Sequence, residues 1–568
     1  MSFTKYLAIV AVAAVSPLVP ATASEAALVQ PSEARANDFK SAADAMLISA
    51  FPADGPGGAA IVTRGGKVIY SAGRGLADVE GNRSITPDTP FRLGSIVKQF
   101  TAGVVLQLVA EGKMSLDDPV SRFFPDYPQP GAGATVRQLL NHSSGIQDFS
   151  KIPGWIAQNR HRPWTTAELL ATFRDLPPKA KPGHAWEYNN GGYVLLGAII
   201  EKATGKAWHE QIADRIARPL GLKSLDYAIP SELPATSARG YAREDGRQQA
   251  VQLSHMSLAH AAGGLNASVA DMARWAQALH HGKVVTPALY QEMIKPARLA
   301  DGSTEPYGFG LRLREIRGRP ALVHGGSGSG LDTDSAYIPS GDLFVAVFAN
   351  SSDPASDPSA LVRRLAALAL GQPIPTFRQA ALDMAAIEPL FGSYDADQGP
   401  PRRFFARDGK LYLGRADEER EARPAGGDRF FFGADDLDWF RIVPNADGKH
   451  VMEMDGPELA APLRAVRTGP VPPAFTVALD VLQSYVGTFK TETVTLTVSM
   501  AGPGKLTIGP AGQPPQPMRP VSETEFRVDG GGFRVVFHKD NGAVGRMTVH
   551  RGARELHGKR VAPAAPAP

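Results

Sequence analysis

Phe91-Arg92-Leu93-Gly94-Ser95-Ile96-Val97-Lys98-Gln99-Phe100 places a hydroxyl and an amine three residues apart at the head of an apolar helix. The i, i+3 spacing sets Ser95 and Lys98 on one helix face, their heads within reach of each other. The helix is expected to run to Glu111 and stop at Gly112. Ile96, Val97, Phe100, Val104, Val105, Leu106, Leu108 and Val109 wrap nearly all round it, the pattern of a helix enclosed in a domain. Lys98 is then poorly solvated. Burial disfavours the ammonium, so the amine sheds its proton and acts as a base towards the neighbouring hydroxyl. The helix N-terminus adds unpaired N–H groups for developing negative charge. A Ser-x-x-Lys pair arises by chance roughly once in a chain of this size, and Ser2-Phe3-Thr4-Lys5 is one such decoy. The pair therefore needs support from elsewhere.

Two segments supply it. In Trp186-Glu187-Tyr188-Asn189-Asn190-Gly191-Gly192-Tyr193, a Tyr-x-Asn triplet on a loop precedes an apolar helix. A phenol held between cations ionises below its usual pKa of about 10 and relays a proton, while a nearby amide hydrogen-bonds a substrate carbonyl. In Ala321-Leu322-Val323-His324-Gly325-Gly326-Ser327-Gly328, an apolar strand runs into a glycine-rich edge. Glycines let the strand backbone approach a ligand, and the N–H of Ser327 is a candidate second oxyanion donor beside that of Ser95. Taken singly, the first segment reads as a core tyrosine beside a turn and the second as a simple turn.

In this order and at these separations, the three segments resemble the motif set of the penicillin-recognising serine hydrolases. That group holds class C β-lactamases, DD-peptidases, related esterases and D-aminopeptidases. Leu139-Leu140-Asn141-His142-Ser143-Ser144-Gly145-Ile146, Ala262-Gly263-Gly264-Leu265 and Tyr307-Gly308-Phe309-Gly310 fall where the family has supporting segments, and the likeness spans roughly residues 40–375. The resemblance implies that Ser95 is the acylated nucleophile and Lys98 its activator. It implies Tyr188 as general base and proton shuttle, and Asn190 as a substrate-amide anchor. His324 stands where the family carries lysine or histidine to hold the tyrosine's electrostatics. The strand edge Gly325, Gly326 and Ser327 would line the substrate, with the N–H groups of Ser95 and Ser327 binding the oxyanion. Sequence does not order Lys98 and Tyr188 as bases, because their titrations are coupled.

One departure bears on the substrate. Family lactamases and carboxypeptidases usually follow the basic strand residue with a hydroxyl that binds the substrate carboxylate, and here that position is Gly325. A desolvated anion needs its hydrogen bonds replaced, so penicillins and DD-peptides are disfavoured unless Ser327 or Ser329 compensates.

The rest of the chain frames this reading. Its 568 residues, 43% hydrophobic, exceed one core and suggest several domains. With 60 basic and 57 acidic residues and no basic run interleaved with aromatics, nothing marks a nucleic-acid partner. There is no cysteine, which excludes thiol chemistry, disulfides and cluster ligation. The thirteen histidines form no His-Glu-x-x-His motif, and His255, His260, His280 and His281 read as surface or packing residues. No serine stands in a Gly-x-Ser-x-Gly elbow, and the glycines at 325–330 lack the Lys-Ser or Lys-Thr of a phosphate loop. Neither a metal nor a cofactor is expected.

Lys5, the apolar run from Tyr6 to Val15 and the small residues Ala21-Thr22-Ala23 read as an export signal over 1–23, cleaved before Ser24. An uncleaved anchor is the alternative, although Pro17 and Pro20 interrupt a stretch short of the roughly 20 residues a span needs. A periplasmic or secreted location without a stable membrane anchor is expected.

After residue 370 the helical period gives way to short alternating runs. Phe391-Gly392-Ser393-Tyr394 is echoed by Val486-Gly487-Thr488-Phe489, Gly409-Lys410-Leu411 by Gly504-Lys505-Leu506, and Phe440-Arg441-Ile442-Val443 by Phe533-Arg534-Val535-Val536. Asp447-Gly448 and Asn541-Gly542 continue the register. The expected architecture is α+β. A catalytic domain over 31–375 has an antiparallel sheet flanked by helices and an all-helical subdomain. Two small antiparallel barrel-like domains follow over 384–468 and 480–561, then a disordered tail over 562–568. This layout resembles that of the D-aminopeptidases, whose last domain sends a loop to the active site to select a free amine. The equivalent connection here, Val528-Asp529-Gly530-Gly531-Gly532, is short. The expected activity is hydrolysis of small amides, peptides or esters through an acyl-enzyme, most specifically D-aminopeptidase-like. Esterase, DD-peptidase and β-lactamase remain open, as does a non-catalytic module binding peptides or wall fragments. Oligomeric state is not legible.

Overall fold

The computed structural model describes residues 33–561, apart from 230–232, 246, 353–355, 397–399, 416–417, 434–435, 472–474, 493, 503, 511–512, 529–532, 541 and 552–553. The segment 1–23 with the pattern of an export signal, the tail 562–568, most of the Val528–Gly532 connection and Asn541 lie outside the described residues.

The catalytic domain is built on a six-stranded antiparallel sheet. Helix α1 (Glu33–Ala50) precedes strands β1 (Gly58–Arg64) and β2 (Lys67–Arg74). Helices α2 (Val97–Ala110), α3 (Asn190–Thr204) and α4 (Met256–Gly263) come next, then β3 (Arg312–Ile316), β4 (Arg319–Gly328), β5 (Leu331–Ile338), β6 (Leu343–Ala349) and α5 (Pro358–Ala369). The order across the sheet is β3-β4-β5-β6-β1-β2, so the two terminal parts of the domain meet at its centre. Side chains alternate across a strand, and β6 (Leu-Phe-Val-Ala-Val-Phe-Ala) is apolar on both faces because both are covered. Leu343, Val345 and Val347 pack with Ala60, Val62 and the inner faces of α1 and α5. Phe344, Ala346 and Phe348 pack with Ala59, Ile61 and the large core that holds α2 and α3.

Helix α2 is buried all round, as its sequence requires. Its C-cap is Glu111, one residue before the expected glycine stop.

Each repeat unit closes into an eight-stranded antiparallel barrel, from Gly392–Ala396 to Leu463–Gly469 and from Gly487–Lys490 to Arg554–Val561. The repeat places matching residues alike: Tyr394 and Phe489 in the first strands and Leu411 and Leu506 in the third are buried core residues. Closure removes the edges of the sheets. The α+β domain with two barrels agrees with the expected architecture. The β3–β4 hairpin docks the first barrel: Arg317 Nη1 pairs with Asp455 at 2.7 Å, and the Arg317 and Gly318 N–H groups donate to the carbonyls of Pro457 and Glu458. Glu419 joins the two barrels through Arg407 at 2.8 Å, Arg519 at 2.6 Å and Arg527 at 3.2 Å. Among the described residues, no helix is long and apolar enough to cross a membrane.

Candidate active site

Ser95 lies on a tight turn, Gly94–Ile96, that runs directly into α2, which puts Lys98 one turn further on. Lys98 is fully buried. Its Nζ has three neighbours: Ser95 Oγ at 3.1 Å, Asn190 Oδ1 at 2.9 Å and the Ala262 carbonyl at 2.9 Å. Asn190 Oδ1 and the Ala262 carbonyl can only accept. A neutral amine carries two N–H bonds and one lone pair. Both N–H bonds are taken by those acceptors, and the lone pair is left facing the Ser95 hydroxyl. Burial lowers the lysine to about 7, opposed by Asp148 and aided by Arg312.

Asn190 opens α3 and is held through its backbone N–H, its amide nitrogen and its amide oxygen. Its N–H donates to Asp148 at 2.9 Å, its Nδ2 to Ser150 Oγ at 3.0 Å, and its Oδ1 receives Lys98. Expected as a substrate-amide anchor, in this conformation it orients the lysine. Tyr188 sits two residues before α3, with Lys98 Nζ 4.8 Å from its ring centroid. Its hydroxyl is turned towards Ser95 without reaching a hydrogen bond, and among the described residues it has no other partner. Burial raises its pKa, opposed by the Ser95 hydroxyl and the Arg312 charge. The phenol is therefore protonated at rest, contrary to the expectation that flanking cations depress it.

His324 also departs from expectation. It lies buried on β4, where Nδ1 donates to the Gly325 carbonyl at 2.7 Å and Nε2 accepts from the Tyr307 hydroxyl at 2.9 Å. Burial pushes its pKa down to about 3, so the ring is neutral, 6.2 Å from the Tyr188 ring. The permanent cation beside the phenol is Arg312 on β3, its guanidinium 5.3 Å from the Tyr188 ring and 5.7 Å from that of Tyr307.

Backbone contacts bring the two candidate oxyanion donors together. Gly94 has φ +53°, and a Cβ there would lie 2.8 Å from Ser327 N. A Cβ on Gly326 would lie 2.0 Å from the Leu93 carbonyl oxygen and 2.7 Å from Ser95 N. Thr333 Oγ1 ties the same two segments, its one O–H shared between the carbonyls of Leu93 at 2.9 Å and Gly326 at 3.2 Å. Only glycine permits this approach.

Ser95, Tyr188, Asn190 and Ser327 line one cavity of about 400 Å³, with Phe149, Ile156, Met256 and Leu258 supplying apolar wall. Arg92 and His255 share the wall, and among the described residues no carboxylate does. His255, a surface or packing residue by its sequence pattern, is turned to this wall by the fold. Sequence reading passed over the Ala262 carbonyl, Arg312 and the Asp148–Ser150 pair. The first two lie in or just beyond the segments at 262–265 and 307–310, which were legible as motifs without revealing which atom faces the lysine. Among the described residues, no group of three or more His, Asp or Glu is placed to hold a metal ion.

A family model described as Beta-lactamase matches residues 45–370. The chain belongs to the beta-lactamase family. It is similar to Penicillin-binding protein 4* of Bacillus subtilis (strain 168), 26% identical over 426 residues, covering 71% of this chain and 93% of that one. It is also similar to the D-aminopeptidase of Gluconobacter oxydans (strain 621H), 30% identical over 359 residues, covering 61% of this chain and 65% of that one. Among solved structures, the D-amino acid amidase from Ochrobactrum anthropi SV3 complexed with L-phenylalanine amide is 26% identical, with a TM-score of 0.51. That match covers 60% of this chain and 99% of the amidase.

Proposed function

We propose that this beta-lactamase-family protein is an exported serine hydrolase that cleaves small amides and esters through an acyl-enzyme on Ser95, in the manner of D-aminopeptidases and D-amino acid amidases. The observation carrying this reading is the buried Lys98 Nζ, 3.1 Å from Ser95 Oγ and 2.9 Å from each of two groups that can only accept, which leaves the lone pair of the neutral amine for the Ser95 hydroxyl. Ser95 Oγ attacks the substrate carbonyl while its proton passes to Lys98. The oxyanion is held by the N–H groups of Ser95 and Ser327. Tyr188 relays the proton from Lys98 to the leaving amine or alkoxide, and water, deprotonated by the same pair, releases the acid. Because Tyr188 is protonated at rest and Lys98 has an accessible pKa, the lysine is assigned as the base and the tyrosine as the shuttle.

The relatives' names favour amides of D-amino acids. Yet the cavity wall offers a substrate ammonium no carboxylate among the described residues, so esters and N-acylated amides are expected to serve as well. Gly325 leaves a lactam carboxylate without its usual hydroxyl. With p-nitrophenyl acetate, D-alanine p-nitroanilide and nitrocefin compared side by side, nitrocefin is expected to be the poorest, and rapid nitrocefin turnover would overturn the Gly325 argument. A fluorophosphonate adduct is expected on Ser95 by peptide mass spectrometry; an adduct on another residue, or none, would remove the proposed mechanism.

Arg312 is assigned the electrostatic duty that a neutral His324 leaves open, stabilising negative charge on Tyr188 as it passes a proton. Arg312→Met is expected to lower kcat for p-nitrophenyl acetate about tenfold, the scale of one partly screened charge at this separation. KM is expected to stay unchanged, with Arg312→Lys restoring part of the rate. A rise in KM with kcat intact would instead mark Arg312 as a substrate contact.

A further inference from the structure

A second cavity, of about 780 Å³, lies at one end of the first barrel, bounded across the gap by the start of α5. It shares no wall residue with the cavity around Ser95. Its origin is visible in strand register. Strands Arg402–Arg407 and Lys410–Arg415 pair antiparallel, setting Phe404 opposite Leu413 and Arg402 opposite Arg415. Phe404, Leu411 and Leu413 are core residues of the barrel, and side chains alternate with a period of two. Arg402 and Arg415 therefore continue the inward-facing rows by one step, and two like charges meet directly across a strand pair, an unfavourable arrangement.

Among the described residues nothing relieves it. Arg402 is 3% exposed, and among the described residues its side chain makes no hydrogen bond and no ion pair. Its Nη1 is buried without an acceptor, and the Trp439 Nε1 on the same wall is buried without one as well. Burial, with the Arg415 charge added, lowers the Arg402 pKa. The carboxylates around the cavity are mostly committed elsewhere. Asp436 and Asp438 pair with Arg420, Asp455 pairs with Arg317, and Asp357 caps α5 through the N–H groups of Ser359 and Ala360. Glu418 and Glu458 stand at the exposed rim. A buried guanidinium without a partner is costly, and it is tolerated where a ligand supplies the missing acceptor.

We infer that this barrel mouth binds a small organic carboxylate, its head on Arg402 and Arg415 and its apolar body against Leu413, Phe432, Trp439 and Met454. A planar guanidinium matches a carboxylate in bidentate geometry, and the volume falls within the range of small-molecule sites. The apolar wall distinguishes this ligand from an inorganic anion, which would gain nothing from it.

Octanoate is the probe, titrated calorimetrically into the full chain after Ser95 has been blocked with fluorophosphonate, or into untreated protein if no adduct forms. One site is expected, with octanoate bound at least about tenfold more tightly than 1-octanol or octylammonium, the scale of one charge-assisted pair. Arg402→Met is expected to remove that preference and, without ligand, to leave the melting temperature equal or higher, because it deletes an uncompensated buried charge. Arg415→Gln, at a more exposed position, is expected to weaken octanoate several-fold with folding unaffected, and ester hydrolysis by unblocked protein is expected to be unchanged in both variants. Equal binding of the three probes, octanoate binding that survives Arg402→Met, no binding up to about 10 mM, or a lower melting temperature for Arg402→Met would each overturn the site.

Discussion

Lys98→Met is expected to lower kcat/KM for D-alanine p-nitroanilide by about 10³- to 10⁴-fold, the usual loss when an activated serine loses its base. The expectation rests on hydrogen-bond bookkeeping at one nitrogen. Asn190 and Ala262 occupy both N–H bonds of the neutral amine, so removing Lys98 leaves Ser95 with no acceptor poised for its proton. Tyr188 is not placed to substitute, since its hydroxyl falls short of a hydrogen bond and is protonated at rest. Lys98→Arg separates charge from basicity. A guanidinium keeps the positive charge but stays protonated, so this variant is expected to be as inactive as the methionine one. Activity within tenfold of wild type in Lys98→Arg would show that the charge alone is what the site uses.

The same group sets the pH dependence. Lys98 is lowered to about 7 in the folded chain against 10.5 when exposed. The neutral amine is the active form, so kcat/KM is expected to rise roughly tenfold per pH unit below 7 and flatten above it. Between about pH 7 and 10.5 the unfolded chain holds a proton on this amine that the folded chain lacks, so Lys98 makes stability rise with pH through that window. Lys98→Met removes this dependence, and at neutral pH it is expected to melt no lower than wild type. A marked fall in melting temperature would mean that the lysine is a structural residue whose loss of activity follows from misfolding.

How much of this was legible in the sequence depends on whether a contact is local. The Ser95–Lys98 pair is set by helical spacing, and the enclosure of α2 by its all-round apolar pattern, so both are present in the order of residues. The barrels are legible for a related reason: a repeat of short alternating strands has few ways to bury its inward rows, and Tyr394 and Phe489 take matching places. The failures are tertiary. Whether residue 324 is charged depends on what covers it, and the cover is Tyr307, brought from the loop segment ahead of β3. Arg312 acquires a role because β3 pairs with β4 and lays its guanidinium beside a tyrosine 124 positions earlier in the numbering. That Asn190 also orients Lys98 depends on Asp148 and Ser150, presented by a separate turn, which hold its backbone N–H and amide nitrogen. Periodicity carries no information about such meetings.

Gly326→Ala is expected to lower kcat by about 10² to 10³, the range seen when an oxyanion donor is lost, while the protein stays folded. A methyl group here has no space. Its carbon would lie 2.0 Å from the Leu93 carbonyl oxygen and 2.7 Å from Ser95 N, both backbone atoms that cannot swing aside as a side chain would. Relief requires the strand edge and the nucleophile turn to separate, and Thr333, hydrogen-bonded to both, resists that movement. Whatever separation occurs displaces the N–H of Ser327 relative to that of Ser95, so the pair no longer converges on one oxygen. Ser327→Ala is the matched comparison, because it keeps the backbone N–H and removes only an exposed hydroxyl; it is expected to retain most activity. The two variants make opposite demands of the backbone and side-chain explanations. If Ser327→Ala were crippled and Gly326→Ala were active, the hydroxyl would be the working group on this strand, and the substrate would be held by a side chain where an oxyanion pair is now assigned.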